Sequence, residues 1–180
     1  MLVFDVTVLA LAVAGSTTSL AYTAITGISP VPSTRRARRR ILDCIPRDYD
    51  GTIYELGAGW GHLALPLARR FPRARVVAYE LSPFPWAAMV LWRALARRRN
   101  LTIHRRNFLK HDLTGRPAVI VCYLHTEALV RLRPQMERQL PAGSLVISNA
   151  FEVPGWTPEA AHRLDDTMCP YIYVYRVPED

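Results

Sequence analysis

The chain has 180 residues, of which 50% are hydrophobic, and its formal net charge is +8 at pH 7. This length predicts one globular domain, and the apolar fraction is sufficient to bury a sizeable core. The three cysteines, Cys44, Cys122 and Cys169, are far apart and form no CxxC pair, which excludes a disulfide framework and a cysteine-based zinc site.

The N-terminal segment contains no charged residue between Val6 and Ile28. A helix needs about 20 apolar residues to cross a bilayer, so residues 1–29 are predicted to form an apolar helix that anchors the chain in a membrane. A secretory signal peptide would need a positively charged start, whereas the first charged side chain here is Asp5. Arginines follow the segment, which places the folded domain in the cytoplasm by the positive-inside tendency. The alternative is a helix packed on a soluble cytoplasmic domain.

Residues 30–50 combine a proline-containing linker with an arginine-rich helix. Pro30 and Pro32 interrupt any helix, and a new helix is predicted over residues 34–44. Its arginines are Arg35, Arg36, Arg38, Arg39 and Arg40. Beside an apolar segment, this cluster favours contact of residues 1–40 with an anionic membrane surface over a nucleic-acid partner.

Residues 51–180 form the main domain, in which strand and helix patterns alternate. Strands are predicted over residues 52–56, 75–81, 101–107, 118–124, 144–151 and 171–177, and helices over residues 62–71, 85–99 and 126–139. This alternation predicts an α/β fold with a doubly wound, mostly parallel, Rossmann-like sheet. Ligands of such sheets bind beyond the C-terminal ends of the strands, so the residues that follow each strand are the candidate site.

A GxGxG turn separates the first predicted strand from the following helix. Glycine lets the chain turn tightly there and lets a ligand approach the backbone. An acid, Glu80, ends the next strand, where a carboxylate can accept hydrogen bonds from both ribose hydroxyls of a nucleoside. Together the glycine turn and this acid predict a cofactor that contains a nucleoside.

The glycine spacing distinguishes between two such cofactors. A dinucleotide site needs G-x-G-x-x-G so that a helix N-terminus can receive the pyrophosphate, and the third glycine is missing because position 62 is His62. Glu55 precedes the turn, where an acid suits a cationic methionine group and would repel a pyrophosphate. The sequence therefore favours S-adenosylmethionine over NAD.

The ends of the third and fourth strands complete the predicted site. Asn107 and Phe108 are placed to bond and stack on an adenine, although a turn-forming Asn and a core Phe are equally consistent with the pattern. Tyr123 is the candidate catalytic residue, as a side chain that lines the methyl-transfer pocket. The predicted cofactor-binding residues are Glu55, Gly57, Ala58, Gly59, Gly61, Glu80, Leu81, Asn107 and Phe108. No metal ligand is predicted.

Four segments resemble a known family. Residues 54–61, 79–83 and 107–110 resemble the motifs of class I methyltransferases in order and spacing. The closest resemblance is to the protein-lysine methyltransferases of the adenine nucleotide translocase and the ATP synthase c-subunit, which share the apolar N-terminus and a Phe-x-x-Pro-x-Trp-x-Pro stretch like that at residues 151–158. Trp60 and Asn107 depart from the pattern, because family members carry acids there.

The resemblance implies a seven-stranded methyltransferase sheet over residues 51–180 and S-adenosylmethionine as the cofactor. It also implies methylation of a lysine on a membrane-associated protein. The alternatives are a methyltransferase for a lipid or small molecule, and a non-catalytic module that only binds the cofactor.

Overall fold

A computed structural model describes residues 32–114 and 116–177. The predicted apolar helix over residues 1–29 lies outside these ranges. Within them, no helix combines the length and the apolar character needed to cross a membrane.

The described residues form four α-helices and seven strands. The helices are α1 (Arg35–Cys44), α2 (Ala64–Arg70), α3 (Pro83–Leu95) and α4 (Thr126–Gln139). The strands are β1 (Thr52–Leu56), β2 (Arg75–Tyr79), β3 (Leu101–His104), β4 (Val119–Cys122), β5 (Leu145–Asn149), β6 (Ala160–Arg163) and β7 (Tyr171–Arg176). A short 3-10 helix spans Phe108–Lys110.

All strands belong to one sheet in the order β3-β2-β1-β4-β5-β7-β6. The first five strands pair in parallel, and β7 is antiparallel to both β5 and β6. The chain winds outward from β1 in both directions, so the strand order reverses between β1 and β4. This is the point at which a doubly wound sheet opens a crevice at the C-terminal ends of its strands. The predicted α/β fold with a doubly wound, mostly parallel sheet is thus confirmed.

Each face of the sheet has its own hydrophobic core. Alternate strand residues such as Ile53 and Val76 pack on one face together with Ala37 and Ile41 of α1 and the buried sides of α2 and α3. The opposite face packs against α4 and the 3-10 helix. Three helices therefore cover one face of the sheet and one helix covers the other.

The structure departs from the sequence prediction at strand β6. Its residues, Ala160–Arg163, alternate between half-buried and exposed side chains and contain no strongly apolar residue. An edge strand buries little apolar surface, so it leaves a weak pattern in the sequence. Helix α1, by contrast, begins one residue after its predicted start, with Thr34 as the N-cap whose hydroxyl accepts the Ala37 N–H at 3.1 Å.

The Asn100 side chain joins the end of α2 to the start of β2. Its Nδ2 donates to the carbonyl oxygens of Ala68, Phe71 and Ala74 at 3.1, 3.0 and 3.1 Å. The Asn100 carbonyl also accepts the Val76 N–H at 2.8 Å, which aligns β2 with β3. One side chain thus holds the helix C-terminus, the connecting turn and the strand that leads to the predicted ribose acid.

Replacing Asn100 with Ala should therefore lower the free energy of unfolding by about 1–3 kcal/mol, because carbonyls at the helix end lose their donor. Chemical denaturation measures the change. Asn100→Asp keeps the shape but presents oxygen to these carbonyls, so it should destabilise at least as much. Full stability of the Asp variant would contradict this role of the amide.

Candidate active site

The loop after β1 is tied to the end of β2 by backbone hydrogen bonds. The N–H groups of Gly57 and Ala58 both donate to the carbonyl oxygen of Tyr79, at 3.0 and 2.9 Å. Because β1 and β2 are parallel neighbours, this brings the glycine turn beside the predicted ribose acid, Glu80. The turn and the acid, separated in the sequence, therefore form one edge of a single crevice.

The Glu80 carboxylate extends this connection with its side chain. Oε2 accepts the Gly59 N–H at 2.7 Å, and Oε1 accepts the Ser82 N–H at 2.7 Å. A carboxylate offers about four acceptor positions, so these two bonds leave others free for hydroxyl groups. Glu80 is thus oriented by the protein while it retains the capacity to bind a ribose.

The three glycines of the turn, Gly57, Gly59 and Gly61, all have positive φ, and the surroundings of the last two differ. At Gly61, with φ of +77°, an added Cβ would lie 2.7 Å from Cγ of Met89 in α3. At Gly59, with φ of +54°, an added Cβ would meet nothing within 4 Å. Gly61 therefore lets α3 approach the loop, whereas the open side of Gly59 is space that a ligand can occupy.

Glu55 lies beneath the turn and is only 6% exposed. Its Oε2 has no hydrogen-bond partner among the described residues. Burial, together with the nearby charge of Glu80, raises the pKa of Glu55 from 4.5 to about 8. A buried carboxylate without a partner is costly, and a cation that reaches it would be strongly favoured.

These residues fit the predicted cofactor. The free acceptor positions of Glu80 suit ribose hydroxyls, and the unpartnered Glu55 oxygen suits the positive charge of a methionine amine or sulfonium. The open side of Gly59 gives the cofactor access to the backbone. Leu81, the residue after Glu80, is half-buried at the same edge.

The structure gives Asn107 and Phe108 roles in the fold. Asn107 Oδ1 accepts the Leu109 N–H at 2.9 Å and so caps the 3-10 helix. Phe108 is 5% exposed and packs in the core on the α4 side of the sheet. The ring's burial favours the core role over stacking on an adenine; the Asn107 amide nitrogen remains a predicted adenine contact.

Tyr123 lies at the end of β4, next to the crevice. Its ring centroid is 6.3 Å from that of Phe151, which in turn is 4.9 Å from the ring of His125. The Tyr123 hydroxyl donates to the Met168 carbonyl at 3.1 Å. Burial, with Cys169 and Asp166 nearby, raises the pKa of Tyr123 to about 12, so its hydroxyl keeps its proton at neutral pH. The proposed pocket-lining role of Tyr123 stays a prediction.

The C-terminal end of β5 was not predicted as part of the site. Asn149 is fully buried, its Nδ2 donates to the Ser33 hydroxyl at 2.9 Å, and its Oδ1 has no partner among the described residues. The next residue, Ala150, has φ of +66°, an uncommon conformation for a side chain with a Cβ. This turn directs Phe151 toward Tyr123. The position of Asn149 at a strand's C-terminal end was the signal that could have identified it.

Comparison with known proteins identifies the family. The family model described as the ANTKMT methyltransferase domain matches residues 55–160. A protein-lysine N-methyltransferase of Saccharolobus islandicus is 28% identical over 156 residues, which cover 83% of this chain and 93% of that protein. The adenine nucleotide translocase lysine N-methyltransferase of Mus musculus is 30% identical over 116 residues, 63% of this chain and 49% of its own length.

Solved structures share the fold. An RNA methyltransferase from Salinibacter ruber, in complex with S-adenosyl-L-homocysteine, aligns with a TM-score of 0.76 at 24% identity and covers 83% of this chain and 95% of its own. A precorrin-6y C5,15-methyltransferase from Geobacter metallireducens aligns with a TM-score of 0.61 at 16% identity, over 79% of this chain and 88% of its own.

The matched range begins at Glu55 and includes the glycine turn, Glu80 and Tyr123. The chain therefore belongs to the ANTKMT methyltransferase domain family and is a methyltransferase that uses S-adenosylmethionine.

Proposed function

We propose that the chain methylates a lysine side chain of a membrane-associated protein. The observation that carries the lysine assignment is the relation to the Saccharolobus islandicus protein-lysine N-methyltransferase, which extends over most of both chains. The Mus musculus relative, whose name specifies lysine methylation of a translocase, adds support, although this chain spans about half of its length. The uncharged segment over residues 6–28 supports a membrane location.

The protein's own part in the reaction is to bind and orient. When bound, S-adenosylmethionine supplies a methyl group activated by the positive charge of sulfur. Glu80 would hold the ribose, because its two backbone hydrogen bonds fix the direction of its remaining acceptor positions. Glu55 would pair with the cationic amino-acid end. Positioning of this kind accounts for much of the rate enhancement in a displacement that needs only alignment.

The acceptor lysine must lose a proton before its amine can act as a nucleophile. Half-buried aromatic side chains, Tyr123 and Phe151, border the crevice on the side away from Glu80. Removal of the amine from water lowers its pKa and favours the neutral form. Tyr123 is not suited to act as a base, because its hydroxyl is committed as a donor to Met168.

Transfer of a labelled methyl group from the cofactor to membrane fractions tests the proposal, with the products separated into protein, lipid and RNA. We expect label on protein lysines, identified by mass spectrometry. Glu80→Ala should abolish transfer, whereas Glu159→Ala, which removes an exposed carboxylate paired with Arg176, should preserve it. Label confined to lipid or to small molecules would replace the lysine assignment with the alternative acceptor class.

The raised pKa of Glu55 should make the stability of the fold decrease with pH and the affinity for the cationic cofactor increase with pH. Between pH 4.5 and about 8, folded Glu55 holds a proton that the unfolded chain has lost, so its burial reduces stability progressively as pH rises. The Glu55→Gln variant has no group that titrates at this position, so it does not lose this stability. The melting temperature of the variant should exceed that of the wild type by a margin that grows across this pH range and then levels off.

The same Glu55→Gln variant should bind S-adenosylmethionine more weakly. In the wild type, binding of the cation should release a proton near pH 7, because the complex favours ionised Glu55. Calorimetry in buffers of different ionisation enthalpy measures the released proton, which the Gln variant should lack. Equal affinity and equal proton release in both proteins would show that Glu55 does not meet the cofactor.

The two glycines of the turn should respond differently to substitution with Ala. Both substitutions introduce left-handed strain of about 1–2 kcal/mol. At Gly61 the added methyl also overlaps Met89, so Gly61→Ala should lose a further ~1–3 kcal/mol of stability. Gly59→Ala should lose cofactor affinity out of proportion to its stability, since its methyl enters the ligand space. Thermal melts and cofactor titrations separate the two effects, and normal affinity in Gly59→Ala would contradict the assignment.

A further inference from the structure

Helix α3 has an apolar outer face that no other described element covers. Phe84, Leu91 and Leu95 are separated by seven and four residues, which places them on one side of the helix. Their exposed fractions are 40%, 58% and 65%. Met89, on the opposite side, is fully buried against the sheet. The exposed ridge formed by Phe84, Leu91 and Leu95 is therefore additional to the apolar surface that α3 buries against the sheet.

A groove continues the apolar surface from α3 to the cofactor loop. It has a volume of about 640 Å³ and is lined in part by Trp60, Leu65, Pro66 and Trp92. Trp60 and Trp92 are 41% and 52% exposed. Pro32, the first described residue, also lines the groove. The described part of the chain therefore begins at this groove.

The same layer of helices presents positive charge outward. Helices α2 and α3 contain no acidic residue, and α1 contains one, Asp43. Exposed arginines on α1, on α2 and just after α3 are Arg35, Arg36, Arg39, Arg69, Arg70, Arg97 and Arg99, of which Arg36 pairs with Asp165. The exposed apolar side chains of the layer are thus bordered by cations.

We propose that the outer surface of α1, α2 and α3, with the groove beside Trp60, docks on an anionic lipid bilayer. Tryptophan and aliphatic side chains are favoured at the boundary between headgroups and acyl chains, and arginines are attracted to anionic headgroups. A nucleic acid would be attracted by the arginines, but it offers nothing to bury the aliphatic side chains of Leu91 and Leu95. The bilayer satisfies both features of the surface.

Docking in this way would place the cofactor loop close to the headgroups, because Trp60 belongs to both the loop and the surface. The proposal extends the proposed function by naming the surface that meets the membrane. It does not depend on lysine as the acceptor: a chain that methylates lysine while its domain stays away from lipid would refute the docking surface alone.

Tryptophan fluorescence of the full chain can test the contact, since residues 1–31 contain no tryptophan. Vesicles of phosphatidylcholine, with or without phosphatidylglycerol, carry bromine on their acyl chains and quench tryptophans that contact them. We expect quenching with the anionic vesicles that falls in Trp92→Phe and is mostly lost when Trp60→Phe is added, because both tryptophans line the groove. The double variant Leu91→Glu and Leu95→Glu should lower the ratio of docked to undocked domain about tenfold.

The control is Val130→Glu on α4, which changes a 52% exposed apolar residue on the other side of the sheet. It should leave quenching unchanged, and circular dichroism confirms that each variant is folded. Equal quenching in the control and the double variant would overturn the proposal. So would an absence of quenching by anionic vesicles, the result expected if residues 6–28 or a second copy of the chain covered the ridge, or if the arginines served RNA.

Discussion

The hydrogen bonds from Gly59 and Ser82 to the Glu80 carboxylate are the contacts on which the site depends. They join a loop that follows one strand to the end of its parallel neighbour, and both strands reach this edge because the sheet register pairs Leu56 with Tyr79. A cofactor bound across the edge therefore meets acceptors and backbone already in position. The pairing of β1 with β2 is then as important to binding as the side chains themselves.

Glu55 shows how a residue of the site lowers the stability of the fold. A carboxylate with one buried and unpartnered oxygen is held directly below the loop, where its pKa is raised to about 8. An uncharged side chain of similar size would make a more stable core. The proposed pairing of Glu55 with a cationic group of the cofactor would account for an acid at this position. Stability and binding thus place opposite demands on one residue.

The sequence predicted those parts of the structure that local patterns encode. Five parallel strands, the glycine turn and the acid after β2 follow one another with strong periodicity, and the structure has them in that order. Strand β6 was missed because an edge strand with half-exposed side chains has no distinctive pattern. The hydrogen bond between Asn149 and Ser33 was also missed, since Ser33 lies 116 positions earlier in the chain. Contacts of that range cannot be inferred from residue spacing.

The close approach of α3 to the glycine turn connects the two surfaces of the molecule. Because Gly61 has no Cβ, Met89 can pack directly against the loop, and α3 then lies beside it. This packing brings Trp92 of α3 and Trp60 of the loop into the same groove. Trp60, at the position where the resemblance to the methyltransferase family predicts an acid, is 41% exposed. An indole at this position places no negative charge at the edge of the basic surface, which is compatible with the proposed contact of that edge with anionic lipid.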